Sequence, residues 1–68
     1  MTIIEVKPVR RGWKVFEAPG VEPVFLLKNQ ALDYADCRAS FRSGEIHVFD
    51  SAGDLEQTLP FADAERRL

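Results

Sequence analysis

Two side chains of this 68-residue sequence could carry nucleophilic or acid–base chemistry, and each type occurs once. Cys37 is the only thiol and His47 the only imidazole, and such a pair acts only when the two groups lie within hydrogen-bond reach. The residue spacing predicts Cys37 in the middle of a helix and His47 in the middle of a strand, and nothing in it brings them together. We therefore expect a buried structural thiol, a sheet-face or partly exposed imidazole, and no enzymatic activity.

Two pairs of carboxylates could in principle bind a cation. Asp33 and Asp36 fall on the solvent side of the predicted helix, where charge mostly serves solubility. Asp50 and Asp54 bracket a predicted turn, but the sequence around them lacks the alternating ligands and the closing Glu of a calcium loop. One Cys and one His cannot supply the four ligands of a structural zinc site, and isolated glycines form no phosphate-binding loop. The sequence therefore predicts no metal and no cofactor.

A basic segment near the N-terminus could bind nucleic acid, with its cations on phosphates and its indole stacked on a base. Residues 1–17 carry four basic and two acidic side chains, whereas residues 18–68 carry five basic and nine acidic ones, which gives the net charge of −2. Because the acidic remainder would repel nucleic acid, we favour a structural interpretation, in which the arginines are turn residues, the lysines guard an edge strand and the indole anchors the core. The candidate nucleic-acid-binding residues are Lys7, Arg10, Arg11, Trp13 and Lys14.

Strands that would position these side chains follow from period-2 alternation and from Gly and Pro. A turn at Arg10-Arg11-Gly12 separates the strands of a first hairpin, and a turn around Gly53 separates those of a second. The short apolar run before the helix is rich in β-formers. The predicted strands are residues 3–8 and 13–17, residues 23–27 as a strand or an extended arm buried on both faces, and residues 45–49 and 55–59.

A period near 3.6 residues begins at Asn29 and predicts the one full-length helix. Asn29 is the expected N-cap, Arg42 lies in the expected last turn, and Gly44 supplies the expected C-terminal stop. Residues 60–68 are expected to form a C-terminal tail or a short helix. The predicted core consists of Trp13, Val15, Phe25, Leu32, Ala35, Ala39, Ile46 and Val48.

The order β-β-(β)-α-β-β predicts a single α+β domain over residues 1–68. It has two layers, an antiparallel sheet of four to five strands and a single helix that covers one face of it. A single helix leaves the other sheet face open, and alternation places Phe16 and Phe49 there. Such an apolar patch is typical of a partner surface or a symmetric dimer.

We therefore expect a non-catalytic binding or assembly module that self-associates as a homodimer through an open sheet face, or binds another protein. A nucleic-acid-binding module that uses the basic hairpin is the alternative. A hydrophobic fraction of 46% and a charged fraction of 29% are typical of a folded domain. No apolar run reaches the ~20 residues of a membrane span, and no signal peptide is recognisable, so a cytoplasmic protein without a membrane partner is expected.

Over about residues 13–55 the sequence resembles DUF2188, a family of small bacterial proteins with no established activity. The resemblance implies a compact ββαββ-type fold. In that family the closing strand often carries a histidine near the turn, where this chain has Phe49, so no histidine-based role carries over. The matching elements are Trp13-Lys14-Val15, Phe25, the alanines at 31, 35 and 39, Glu45-Ile46-His47-Val48 and Gly53-Asp54-Leu55.

Overall fold

A computed structural model of the protein describes residues 2–40 and 43–61. Within those residues three strands, one helix and two further strands follow each other in the predicted order, which confirms the α+β class and both hairpins. The elements are β1 (Thr2–Val9), β2 (Gly12–Phe16), β3 (Val24–Phe25), α1 (Lys28–Ala39), β4 (Gly44–Phe49) and β5 (Leu55–Phe61).

The five strands form one sheet in the order β3-β2-β1-β4-β5. Three neighbouring pairs are antiparallel, but β1 and β4 run parallel, so the sheet is mixed where a wholly antiparallel one was expected. The reason lies in the connection through α1. The chain leaves the sheet at β3, crosses with the helix and re-enters on the other side of β1, and a helical crossover returns the next strand in the same direction.

Small side chains bring α1 onto one face of the sheet. Ala31, Ala35 and Ala39 recur every fourth residue, form a single stripe along the helix, and are fully buried. They pack against the inward side chains of β1, β2 and β4. The buried core comprises Ile4, Val6, Val15, Ala31, Ala35, Ala39, Ile46, Val48 and Phe61, and the predicted core residues Trp13, Phe25 and Leu32 lie partly buried at its rim, as does Tyr34.

Helix α1 differs from expectation at its start and on its outer side. Its N-cap is Leu27 rather than Asn29, because the side chain of Gln30 accepts a hydrogen bond from the Leu27 N–H (3.2 Å) and so allows an earlier start. Cys37 is exposed, which contradicts the expected buried thiol. It lies two residues after Ala35, about 200° around the helix from the alanine stripe.

At its other end α1 terminates at Ala39 with Ser40 as the C-cap, well before the expected stop at Gly44. Gly44 is instead the first residue of β4. Arg42, expected in the last helical turn, lies outside the described residues. A Cβ at Gly44 would lie 1.8 Å from the carbonyl oxygen of Thr2, so glycine is what allows β4 to start directly against β1.

Strand β3 is a two-residue edge strand, shorter than the predicted segment 23–27. Phe25 pairs with Trp13 on the helix-covered side, whereas Val24 pairs with Lys14 on the opposite side and is 53% exposed. The expected burial on both faces is therefore wrong. An edge strand in a two-layer domain has only one covered face.

Strand β5 continues through Pro60 to Phe61, two residues into the segment expected to be a tail. The neighbouring strand β4 explains why a proline is tolerated here. The carbonyl of Ser43, directly before β4, accepts a hydrogen bond from the N–H of Thr2 (2.9 Å), so the odd-numbered residues of β4 direct their backbone groups towards β1 and away from β5. Pro60 lies opposite the odd-numbered Glu45, where β4 offers no partner to the missing N–H. The rest of the predicted tail, residues 62–68, lies outside the described residues.

Candidate functional site

The sheet face turned away from α1, called the open face from here on, carries aromatic and charged side chains in rows set by the strand register. Lys14 and Lys7 lie side by side in one row. The next row contains Phe16, Glu5 and His47. A third row pairs Ile3 with Glu45, and Phe49 extends β4 beside Lys7. On β1, β2 and β4 the open face comprises Ile3, Glu5, Lys7, Lys14, Phe16, Glu45, His47 and Phe49, and Val24 of β3 and Thr58 and Pro60 of β5 continue its rows at the two edges.

Both predicted interface aromatics lie on the open face, and both are partly buried. Phe16 lies opposite Glu5. Phe49 lies under Lys7, whose Nζ is 6.0 Å from the centroid of the phenyl ring. Strand β1 separates the two rings with its Glu5 and Lys7 side chains. The open face is therefore a mosaic of aromatic and charged groups rather than a continuous apolar patch.

Ion pairs link several of the charged groups on the open face. Lys7 Nζ lies 3.1 Å from Glu5 Oε1. His47 Nε2 and Glu45 Oε1 form a hydrogen bond of 2.8 Å. Lys14 is bound at 3.1 Å by Glu22, which reaches it from the loop before β3. Pairs of this partly exposed kind contribute about 0–1 kcal/mol each to folding, so they add little to the stability of the sheet.

The charges on the open face are separated along the strands. Lys7 and Lys14 lie at the end next to the β1–β2 turn, and Glu5 and Glu45 lie nearer the opposite end. His47 lies between the two carboxylates, as the predicted partly exposed imidazole on a sheet face. The open face is thus cationic at one end and anionic towards the other.

The five candidate nucleic-acid-binding residues are divided between three surfaces. Lys7 and Lys14 lie on the open face and are paired with carboxylates. Trp13 lies on the opposite face, against the core. Arg10 and Arg11 are exposed in the turn, and among the described residues neither has an ion-pair partner. The structure therefore does not bring the indole and the lysines to one ligand.

The indole of Trp13 also makes a cation–π contact with a lysine at the start of the helix. Lys28 Nζ lies 4.9 Å from the indole centroid and 2.5 Å from Glu56 Oε1 of β5. This contact joins the start of the helix to two strands on the covered side. Stacking of the indole on a base would displace Lys28 first.

A charged contact that the spacing did not indicate ties the residue directly after β2 to α1. Arg38 donates from Nε and Nη2 to the two carboxylate oxygens of Glu17, at 2.7 and 3.2 Å. The Glu17 side chain is only 9% exposed. Hydrogen bonding to Glu17, together with its charge, raises the pKa of Arg38 above its ordinary value. The two residues are 21 positions apart, so only the fold reveals the pair.

The side chains considered for catalysis and metal binding remain apart. Cys37 lies on the outer side of α1 and His47 on the open face, so the sheet separates thiol from imidazole. Asp50 accepts hydrogen bonds from the N–H groups of Ala52 and Asp54 at 2.9 and 3.0 Å, as an ordinary turn residue does. Among residues 2–40 and 43–61, no three His, Cys, Asp or Glu side chains converge on a site for a metal ion.

A shallow hollow lies between the loop before β3 and the helix. Its volume is about 590 Å³, and it is lined by Gly20, Val21, Glu22, Pro23 and Tyr34. Its lining contains neither the thiol nor the imidazole. The hollow therefore adds no catalytic group to the open face.

Comparisons with protein-family models, with curated proteins and with solved structures gave no match. The resemblance to DUF2188 stays a prediction. Within the described part of the chain, no helix has the length and apolar character needed to cross a membrane.

Proposed function

We propose that the protein is a non-catalytic assembly module that binds a second copy of itself through the open face. The observation that carries this proposal is the pair of aromatic side chains, Phe16 and Phe49, on the face that α1 does not cover. Ile3 lies on the same face. Among the described residues no other element covers these side chains, and burial of an aromatic side chain is a main source of binding energy at interfaces.

A symmetric dimer also needs a surface that is complementary to itself. The open face meets this requirement because it carries both signs of charge, with Lys7 and Lys14 at one end and Glu5 and Glu45 towards the other. A patch of one sign would repel its own copy. We also propose that the protein is cytoplasmic and that it belongs to DUF2188, as the sequence predicts.

The size of the open face limits the strength of the dimer. The face is five strands wide, with strands about 4.8 Å apart, and about five residues long along each strand. These dimensions give a footprint of roughly 400 Å². Specific interfaces bury about 800 Å² on each partner. We therefore expect a reversible dimer whose population depends on protein concentration.

Sedimentation velocity over a range of protein concentrations tests the proposal. The wild-type chain is expected to shift from its mass of 7.7 kDa towards twice that value as its concentration rises. Phe49→Glu is expected to remain monomeric, because the open face loses one of its two aromatic rings. The variant is expected to stay folded, because the new carboxylate lies beside Lys7 on that face. Leu26→Ser is the matched control, since Leu26 is 77% exposed but lies outside that face.

The control variant is expected to associate like the wild type. A wild-type chain that stays monomeric at every concentration contradicts the proposal. So does a Phe49→Glu variant that associates as strongly as the wild type. Circular dichroism on each variant establishes that a loss of association is not a loss of folding.

Nucleic-acid binding is the second candidate function, and one observation favours it. Arg10 and Arg11 are exposed together in the β1–β2 turn, and no carboxylate of the described residues pairs with them. Fluorescence anisotropy of a labelled single-stranded oligonucleotide at low salt tests this candidate, because contacts to phosphates are strongest there. Binding that Arg10→Ser/Arg11→Ser abolishes would support it, and an unchanged anisotropy with the wild type would rule it out.

A further inference from the structure

A β-bulge in β5 adds a side chain to the open face. The register between β4 and β5 shifts after Val48, so that Gln57 lies opposite Val48, Leu55 lies opposite Phe49, and Glu56 is the extra residue. Side chains that lie directly opposite each other in an antiparallel pair share a face. Leu55 therefore lies on the open face beside Phe49.

The position of Glu56 agrees with this register. Its carboxylate pairs with Lys28, the first residue of α1, and so lies on the covered side. Successive side chains of a strand point to opposite faces, which directs the neighbouring Leu55 away from the helix. In a regular ladder Glu56 would lie opposite Phe49. The bulge thus places an aliphatic side chain on the open face where a carboxylate would otherwise lie.

With Leu55 included, one row of the open face crosses all five strands. Val24, Lys14 and Lys7 are successive cross-strand neighbours on β3, β2 and β1. Lys7 Nζ lies 6.0 Å from the ring centroid of Phe49, and Phe49 lies opposite Leu55. The two ends of this row, Val24 and Leu55, are 53% and 54% exposed. We call these five residues the cross-sheet row.

We infer that the cross-sheet row is the part of the open face on which the second copy packs. This inference rests on the proposed self-association. It assigns the centre of the contact to the row of Phe49 rather than to that of Phe16, and it adds Val24 and Leu55 to the interface.

The two lysines of the cross-sheet row are compatible with an apolar contact because each already has a counter-charge. Glu5 lies 3.1 Å from Lys7, and Glu22 lies 3.1 Å from Lys14. Neither carboxylate belongs to the row. A lysine side chain can cover apolar surface with its stem while its charged head stays in water. The row therefore offers apolar groups at both edges of the sheet and aliphatic stems between them.

The neighbouring row of Phe16 is less suited to burial. Phe16, Glu5 and His47 are cross-strand neighbours, and Thr58 lies opposite His47. Burial of such polar groups costs free energy unless each finds a new hydrogen-bond partner. The row of Phe16 thus lies at the margin of the contact. A second copy suits the cross-sheet row because it brings a row of the same length with the same apolar ends.

Two leucines on opposite faces of β5 test the inference in the full-length chain. Leu55 belongs to the cross-sheet row, whereas Leu59 lies opposite the buried Ile46 on the covered side and is 36% exposed. Leu55→Thr removes apolar surface from the row and keeps a residue that favours strands. Leu59→Thr is the matched control, and Val24→Thr changes the other end of the row. Sedimentation equilibrium gives the dissociation constant of each dimer, and urea unfolding at low concentration establishes that each variant is folded.

We expect Leu55→Thr and Val24→Thr each to raise the dissociation constant about tenfold, because a symmetric contact contains every residue twice. Leu59→Thr is expected to leave it unchanged. If both row variants associate as tightly as the wild type while Phe49→Glu stays monomeric, the cross-sheet row is wrong but self-association through the open face stands. A loss with only one of the two row variants would confine the contact to one edge and also overturn the inference.

Two further results would overturn both proposals. A loss of association with Leu59→Thr as large as that with Leu55→Thr would place the contact on the edge of β5 instead of the open face. A wild-type chain that is monomeric at every concentration would leave no dimer for the row to form.

Discussion

The two faces of the sheet are built from the same five strands but obtain their properties in different ways. On the covered face, Ile4, Val6 and Val15 have no exposed surface and meet a stripe of alanines on α1. On the open face, aromatic rings alternate with paired charges, and every side chain keeps some contact with solvent. The covered face is specified by volume, whereas the open face is specified by the positions of charges.

This difference indicates how a chain of 68 residues can fold through one face of its sheet and leave the other face for the proposed self-association. Its stability comes from apolar burial under the helix, since burial of one aliphatic side chain contributes about 1.5–3 kcal/mol. The ion pairs of the open face contribute little to folding. Its residues are therefore available for recognition without much loss of stability, and the two faces should respond differently to substitution.

Two adjacent isoleucines give the largest expected contrast. Ile4→Ala leaves a cavity in the core, for which losses of about 2–5 kcal/mol are usual, so this variant is expected to be largely unfolded. Ile3→Ala removes the same atoms from the open face and is expected to cost under about 1.5 kcal/mol, because Ile3 already contacts solvent. Urea unfolding of both variants measures the difference, and equal losses would contradict the distinction between the faces.

Two glycines provide the next contrast. Gly44→Ala would place a methyl group 1.8 Å from the Thr2 carbonyl and force β1 and β4 apart, at a cost of at least about 1–3 kcal/mol. Gly53→Ala is the control, because Gly53 has φ +89° but open space around it and incurs only about 1–2 kcal/mol of backbone strain. A Gly44→Ala variant as stable as Gly53→Ala would show that the β1–β4 contact is looser than described.

The Glu17–Arg38 pair on the covered side should stabilise the fold from neutral pH up to the pH at which Arg38 loses its proton. A pKa raised in the folded state gives stability that is present below the ordinary arginine value and is lost only as the pH rises through the raised one. Arg38→Gln is thus expected to lower the urea midpoint, by a smaller amount than the previous variants, and by the same amount at pH 7 and pH 9.5. A difference that disappears by pH 9.5 would contradict this account.

Glu5→Gln is expected to have the smallest effect on folding. The Glu5–Lys7 pair is partly exposed, so the free energy of unfolding should fall by less than about 1 kcal/mol. The proposed dimer should weaken nevertheless, because the open face loses one of its two carboxylates. Urea unfolding at low concentration and sedimentation at high concentration separate the two effects, and a large loss of stability with unchanged association would reverse the roles assigned to the faces.

Local patterns predicted most elements but not their neighbours. Alternation identified both hairpins. The recurrence of alanine every four residues, at 31, 35 and 39, identified the helix and its buried stripe. Nothing local indicated that β4 would lie parallel to β1, because a period of two residues describes one strand and not its partner. The exposure of Cys37 was missed because an apolar residue near the helix face was assigned to the core.

For the candidate site, too, the sequence predicted the face on which a side chain lies but not its neighbours on other elements. Alternation placed Phe16 and Phe49 on one face, since side-chain direction follows from the strand period alone. It also placed Trp13 and Lys14 on opposite faces, although both were grouped in one basic hairpin. The Glu17–Arg38 pair and the row of Lys7 and Lys14 required the register between strands and the position of the helix, which the sequence does not state.

A dilution series followed by ¹H–¹⁵N NMR tests the central claim most directly, because it reports which residues feel the second copy. Amide signals of Phe16, Glu5 and His47 are expected to move together as the protein is diluted, while those of Ala35 and Cys37 in α1 stay fixed. The account predicts that the shifts are confined to the open face. Concentration-dependent shifts confined to the helix, or no shifts at any concentration, would contradict it.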